Sequence, residues 1–408
     1  MQGPWARVLV PGLLTASVLL GLSLGFRGNG LFRTMLATTI LLSLPYLIAN
    51  IRRPDVWLGP VFLALVILSQ LIAGVPLSGI SVTTLACFVA FPAVVAAARS
   101  HPYGGWVVLG GVVAGVFGSG LLTLAQSLIG GDESMPLAVS SAGDRFAPAT
   151  GSFPHWTSNG VALSMAALAL MALLPSVRTL FEVRARIWTM SVVLILLLLV
   201  VASVLSQSRT AVIAAAVGFA LWAIFLVRGK APARGFLIPA AVSILALVGG
   251  IAVMYSQTPD RVASLFQAND PRIPLWKASV SLIIDHPLLG LGGSGRWPAT
   301  IGERWQTLYG VPTPERFIHP HNAFLGVAVF YGLPALVAAV AWMTCLIRTV
   351  WSSRFAPIGV GLLAMYLIGS TFDATCFHLR INETAMLLLA ATAVIAVRPE
   401  PTSVGLPR

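Results

Sequence analysis

His319, Pro320, His321 and Asn322 stand at the head of the stretch FIHPHNAFLGVAVFYG (317–332), in a chain that holds only six histidines. Three kinds of chemistry suit such a group. Two imidazoles and a third donor could bind zinc, which takes nitrogen, sulfur or carboxylate ligands in sets of four. His155, His286 and His378 are the histidines available to complete it, and neither CxxC nor HExxH spacing occurs. Alternatively, Pro320 starts a helix whose free amides His321 or Asn322 satisfies. In the third reading a neutral imidazole takes a proton from a hydroxyl at ambient pH. Arginines are the other chemically suggestive residues. In SQSRTA (206–211), Arg209 sits between two apolar runs with Ser206, Gln207, Ser208 and Thr210 around it. A guanidinium so placed either snorkels to headgroups or lines an anion site with those hydroxyls. Further along, Arg261, Arg272 and Arg296 share one polar segment with Trp276, Trp297 and Trp305. Its aromatic residues would lie at a membrane interface or stack on sugar rings.

The elements that must carry these residues are apolar. Of 408 residues 57% are hydrophobic and 9% charged, with a mean hydropathy of +0.90. Soluble domains hold about 25% charged residues, so most of this surface faces something other than water. Runs near the roughly 20 residues that cross a bilayer fall at 8–26, 32–51, 56–75, 79–98, 105–129, 157–175, 187–206, 209–227, 235–255, 322–346, 356–372 and 383–397. The first is long for a signal peptide and others follow, so it reads as an anchor. The expected fold is all-α: a polytopic membrane helix bundle of about twelve transmembrane helices with one large folded loop. Its parts are residues 1–255 (spans one to nine), 256–320 (the loop, with amphipathic helices) and 321–408 (spans ten to twelve).

Net charge +12 would suggest nucleic acid in a soluble protein. Placing the charges removes that partner. With the N-terminus inside, the inner segments hold fourteen bases against three acids and the outer ones eleven against ten. This is the positive-inside bias, and it puts both termini in the cytoplasm and the 256–320 loop outside. Within the loop, PLWKASVSLIIDHPLLG reads as an amphipathic helix stopped at His286-Pro287. GLGGSG (290–295) fits G-x-G-x-x-G, but it follows a helix and no βαβ unit surrounds it, so it reads as a turn allowing close backbone approach. No P-loop lysine is present. Three scattered cysteines imply no disulfide framework.

SQSRTA (206–211), RIPLWKA…DHPLLGLG (272–292) and HPHNAFLGVAVFYG (319–332), in this order, resemble the O-antigen ligase and polymerase superfamily, integral membrane glycosyltransferases. The last stretch has the ligases' histidine, ten residues, then glycine, as His321 and Gly332. ATGSFPHWTSNGVALSMA (149–166) resembles the family's segment leading into a middle span, with Trp156-Thr157 where relatives often carry a Pro-Asn type pair. The resemblance covers roughly residues 140–335. It implies transfer of a glycan from undecaprenyl diphosphate to an acceptor on the periplasmic face of the bacterial inner membrane. The acceptor implied is lipid A-core oligosaccharide, making the chain an O-antigen ligase. Repeat-unit polymerase and O-linked protein oligosaccharyltransferase are the alternatives within the superfamily. On that basis His321 is expected to be the base, with Arg209 and Arg272 clamping the diphosphate. Arg261, Arg296, His319, Asn322 and Trp276 would bind substrate. No metal, cofactor or ATP is expected, since guanidiniums can stabilise the charge that grows on a departing diphosphate. A secondary transporter would also fit twelve spans, but it would place charges inside them.

Overall fold

A computed structural model describes residues 6–26, 29–75, 87–129, 150–153, 155–180, 185–206, 208–228, 248, 252, 272–312, 319–351, 356–373 and 379–395. Among these there is no strand. The helices are α1 (Ala6–Ser23), α2 (Asn29–Ala49), α3 (Pro54–Ile72), α4 (Phe91–Ser100, entered through a 3₁₀ turn), α5 (Gly104–Ile129), α6 (Trp156–Leu180), α7 (Ala185–Leu205), α8 (Arg209–Arg228), α9 (Arg272–Asp285), α10 (Trp297–Tyr309), α11 (Ala323–Trp351), α12 (Ala356–Phe372) and α13 (Leu379–Ile395). Stretches of α2, α3, α5, α7 and α11 are each long and apolar enough to cross a membrane. Shorter apolar segments of α1, α6, α8 and α12 accompany them. The protein is an all-α, multi-pass membrane protein. The expected span at 235–255 lies almost entirely outside the described residues, as does most of the N-terminal half of the span at 79–98.

Elements begin and end where local chemistry directs. Pro54 opens α3 at a position where a missing N–H costs nothing. Gly310 closes α10 in the left-handed conformation, φ 68°. Helix α13 starts four residues before the apolar run, because Arg380, Asn382 and Glu383 are buried rather than looped out. Arg380 is held by the carbonyls of Phe26 (2.6 Å) and Ser152 (2.9 Å) and lies over the Phe32 ring. Hydropathy reads such a residue as the edge of a span; here it pins α13 to the end of α1 and to residues 150–153.

The main core gathers α1, α4–α8, α12 and α13, with residues 157–171 of α6 and 380–393 of α13 enclosed. Close approach in lipid depends on small residues and hydroxyls. Thus Ser203 on α7 reaches Ser164 (2.8 Å) and the Gly160 carbonyl (2.9 Å) on α6.

The 272–312 region forms a second, smaller core against α3 and α11, built on Leu275, Leu282, Leu291, Trp297, Ile301 and Trp305. As expected, α9 stops at His286-Pro287. Trp297 and Trp305, expected to face an interface or sugar rings, are instead buried in this core. Burying such large side chains stabilises a short region more than exposing them would. The GLGGSG turn is the close-approach element the sequence suggests. Leu291 and Gly292 donate backbone N–H bonds to Val329 (2.8 Å) and Phe330 (2.9 Å), and Leu333 donates to Pro287 (2.7 Å). They fit because α11 is broken at Gly332, φ 86° and ψ 170°, a conformation essentially restricted to glycine. Inside a membrane, backbone groups freed by a kink need such partners.

Candidate active site

Helix α11 starts at the site. Asn322 accepts from the Leu325 N–H (3.0 Å) and is its cap. The capping reading therefore holds for Asn322. His321 is different: its φ of 51° is the single positive value at a described non-glycine residue, and such backbone strain concentrates at functional positions. The His321 N–H donates to His319 Nδ1 (3.2 Å), and the two rings meet edge to face with centroids 4.3 Å apart.

The residue facing them is Asp373, just past the end of α12 and 4% exposed. Its Oδ1 lies 3.4 Å from His321 Nδ1, and its Oδ2 lies 3.7 Å from His155 Nδ1. His155 precedes α6. Its Nδ1 accepts the Thr157 N–H at 3.2 Å and its ring stacks on Trp156. Burial alone would raise the Asp373 carboxyl. The bond from His321, the facing His155 and a bond from the Thr157 hydroxyl outweigh it and hold the group well below the usual carboxylate range. Burial pushes the His155 imidazole down, against the pull of Asp373. The site thus contains an ionised carboxylate beside a neutral His155.

Residues 150–153 set the position of this wall. Gly151, at φ 58°, donates to Gln126 (2.9 Å), and Ser152 donates to Ser119 (3.0 Å). Asn159 bonds both Ser119 and Thr123 on α5 at 2.9 Å.

Arg209 is the first residue of α8. Ser208 before it accepts the Ala211 N–H (3.2 Å) and donates to the Thr157 hydroxyl (3.2 Å). Its place in the chain is therefore beside the Thr157–Asp373–His321 group. Of the hydroxyls expected to line an anion site, Ser206 is bonded to the Ser203 carbonyl (2.6 Å) and Ser208 is the cap just described. Gln207 lies outside the described residues. Arg272 opens α9; one turn on, Trp276 donates to the Pro320 carbonyl (3.0 Å). Residues four apart share a helix face, so Arg272 lies one turn before Trp276 on the same face of α9. Arg296 bonds the Ala73 carbonyl at the end of α3, and no bond links it to the histidines among the described contacts. Arg261 lies outside the described residues.

Sequence reasoning missed Asp373 and gave His155 no role beyond a possible metal ligand. The available signal was an acid immediately after an apolar run, on the same face as the histidines. His319, His321 and Asp373 also present donor atoms all within 4.8 Å of one another. Asp373 is thus the third donor of this group among the described residues.

The site belongs to a membrane protein that gathers a histidine–carboxylate pair and the chain positions of two arginines at one end of its bundle. Residues 194–340 match the family model described as O-antigen ligase, a match that supports the O-antigen ligase superfamily for this chain. That segment supplies Arg209, Arg272, Arg296, His319 and His321; Asp373 and His155 come from outside it. No curated protein matches the chain.

Proposed function

We propose that the protein is a membrane glycosyltransferase that moves a glycan from undecaprenyl diphosphate to an acceptor hydroxyl on the periplasmic face, as an O-antigen ligase. The observation that carries this reading is the Asp373–His321 contact at 3.4 Å, beside helix starts that bear arginine. With Asp373 ionised, the His321 proton rests on Nδ1 and Nε2 is left as the acceptor, the tautomer control that a carboxylate exerts on a catalytic histidine. Bonds of this kind are often long before substrate binds.

In the reaction, Nε2 takes the acceptor O–H proton as the oxygen attacks the anomeric carbon. The bond from that carbon to phosphate breaks and its electron pair leaves with the diphosphate. Arg209 and Arg272 stabilise the charge that grows there. Direct attack inverts the anomeric centre. Asp373 balances the imidazolium formed, and Trp276 and Asn322 fix the turn that carries His321. Lipid A-core oligosaccharide is the acceptor proposed; a polymerase or protein oligosaccharyltransferase would share this donor chemistry and differ only in acceptor.

The test is purified protein with lipid-linked glycan and, in separate reactions, lipid A-core, a second donor or a protein acceptor. Extension of lipid A-core is the expected result. His321→Ala should lower kcat by about 10²–10⁴-fold, the range for a lost general base, while donor binding persists. Chelator should leave the rate unchanged. A rate abolished by chelation and restored by zinc would assign His319, His321 and Asp373 to a metal instead.

A further inference from the structure

A cavity of about 480 Å³ opens at the other end of the bundle, along the length of α4 and between the last turns of α2 and α11 and the first turn of α3. Thr349 on its wall lies 28 residues beyond His321, nearly all along α11. At 1.5 Å per residue the helix beyond the Gly332 break carries Thr349 about 25 Å from that break, and no residue of the transfer site lines the cavity. Its volume is in the range of ligand pockets.

Two guanidiniums line it. Arg53 is clamped by Asp55 (2.7 and 3.1 Å) and contacts the Tyr46 hydroxyl (3.2 Å), so its charge is balanced by a carboxylate. Arg99, in the last turn of α4, is exposed, and no carboxylate lies within ion-pair distance of it among the described residues. Among the side chains that line the cavity, Arg99 is therefore the cation with no carboxylate partner. Ser100 and Thr349 add hydroxyls beside it, and Phe91 and Val95 add an apolar wall. The surface around the mouth is apolar: Leu44 and Ile48 on α2 and Trp57 and Val61 on α3 are exposed, as is required of helices that face acyl chains. Trp57 in the first turn of α3 and Trp351 at the end of α11 are exposed, and tryptophan at the ends of membrane helices favours the interface.

A guanidinium with no carboxylate partner, flanking hydroxyls and a lipid-facing rim suit a phosphodiester monoanion that arrives with its tails. We propose that this cavity binds the headgroup of an anionic membrane phospholipid, with Arg99 and Arg53 on the phosphodiester and Ser100 and Thr349 on a hydroxyl-bearing headgroup. Basic pockets at the inner ends of membrane helices hold such headgroups.

The experiment is native mass spectrometry of the whole protein in neutral detergent, titrated with phosphatidylglycerol, phosphatidylcholine or inorganic phosphate. Wild type should bind one phosphatidylglycerol saturably and prefer it to phosphatidylcholine. Arg99→Gln should weaken that binding about fivefold, the loss expected for one basic residue near an anionic headgroup. Because Arg53→Gln also breaks the Asp55 pair, Ser100→Ala with Thr349→Val is the second variant, expected to reduce preference for the glycerol headgroup without changing the fold. Equal phosphatidylglycerol affinity in wild type, Arg99→Gln and the double variant would overturn the proposal. So would competition by millimolar inorganic phosphate, which would assign the cavity to a soluble anion.

Discussion

With Asp373 ionised, its two oxygens face His321 and His155, so one buried carboxylate touches both imidazoles. Asp373→Asn removes the charge but keeps the shape, so His321 loses its preferred tautomer. We expect kcat to fall by about 10²-fold or more, with KM for the donor nearly unchanged, in the transfer assay. Stability should respond to acid in two stages. The His155 value is lowered by folding, so the folded state favours its neutral form. That contribution is full above the unfolded value of about 6.5 and is lost as pH falls below it. The Asp373 value is also lowered; its contribution is full above about 3.9 and is lost only as pH falls through the depressed folded value. Thermal unfolding between pH 1 and 8 should show both losses, with His155→Gln removing the upper one and Asp373→Asn the lower. Parallel curves for all three proteins would contradict this account. His321 was legible in the sequence because a histidine pair at the mouth of an apolar run is unusual. Asp373 was not, because its meaning comes entirely from α12 ending beside α11, 52 residues later in the chain than His321.

At the scale of elements, the ten residues between His321 and Gly332 acquire a physical reason. They are the first turns of α11, with Asn322 capping one end and the 287–292 turn bonded into the break at the other. Trp276 ties α9 to the cap, so α9 is fixed to α11 at both ends and Arg272 is held relative to His321. A Cβ at Gly332 would sit 2.1 Å from the Leu288 carbonyl oxygen, and one at Gly290 would sit 2.4 Å from that of Val329. Gly332→Ala should therefore destabilise the protein by at least about 1–3 kcal/mol, the cost of a non-glycine residue in that backbone region, and should lower transfer. Gly302→Ala on α10 is the control, since its Cβ would meet nothing within 4 Å; helix propensity makes it neutral or slightly stabilising. Melting temperature and turnover measured on both variants decide the matter. The span pattern and the α9 stop could be read from periodicity and from Pro287. The early start of α13 could not, because burial of Arg380 and Glu383 is a tertiary fact that hydropathy averages away.

At the scale of the whole molecule, the charge distribution supports one orientation. The inner segments assigned from sequence hold Arg52, Arg53 and Arg99, which lie at the end opposite the histidine–aspartate cluster. Sequence charge and site position thus agree: if the positive-inside bias sets the topology, His321 and Asp373 face the periplasm. The agreement has content because the charge count never used the site. It can be checked directly in cells. In a background with Cys87, Cys345 and Cys376 replaced by serine, Gln306→Cys on α10 and Arg52→Cys before α3 place single thiols at exposed positions on opposite ends. A membrane-impermeant maleimide should label Gln306→Cys in intact spheroplasts and Arg52→Cys only after permeabilisation. The reverse pattern would turn the histidine end toward the cytoplasm, and a donor presented on the periplasmic leaflet could then not reach His321. It would also move the phospholipid cavity to the outer leaflet, so this single measurement fixes the side on which both proposed sites must work.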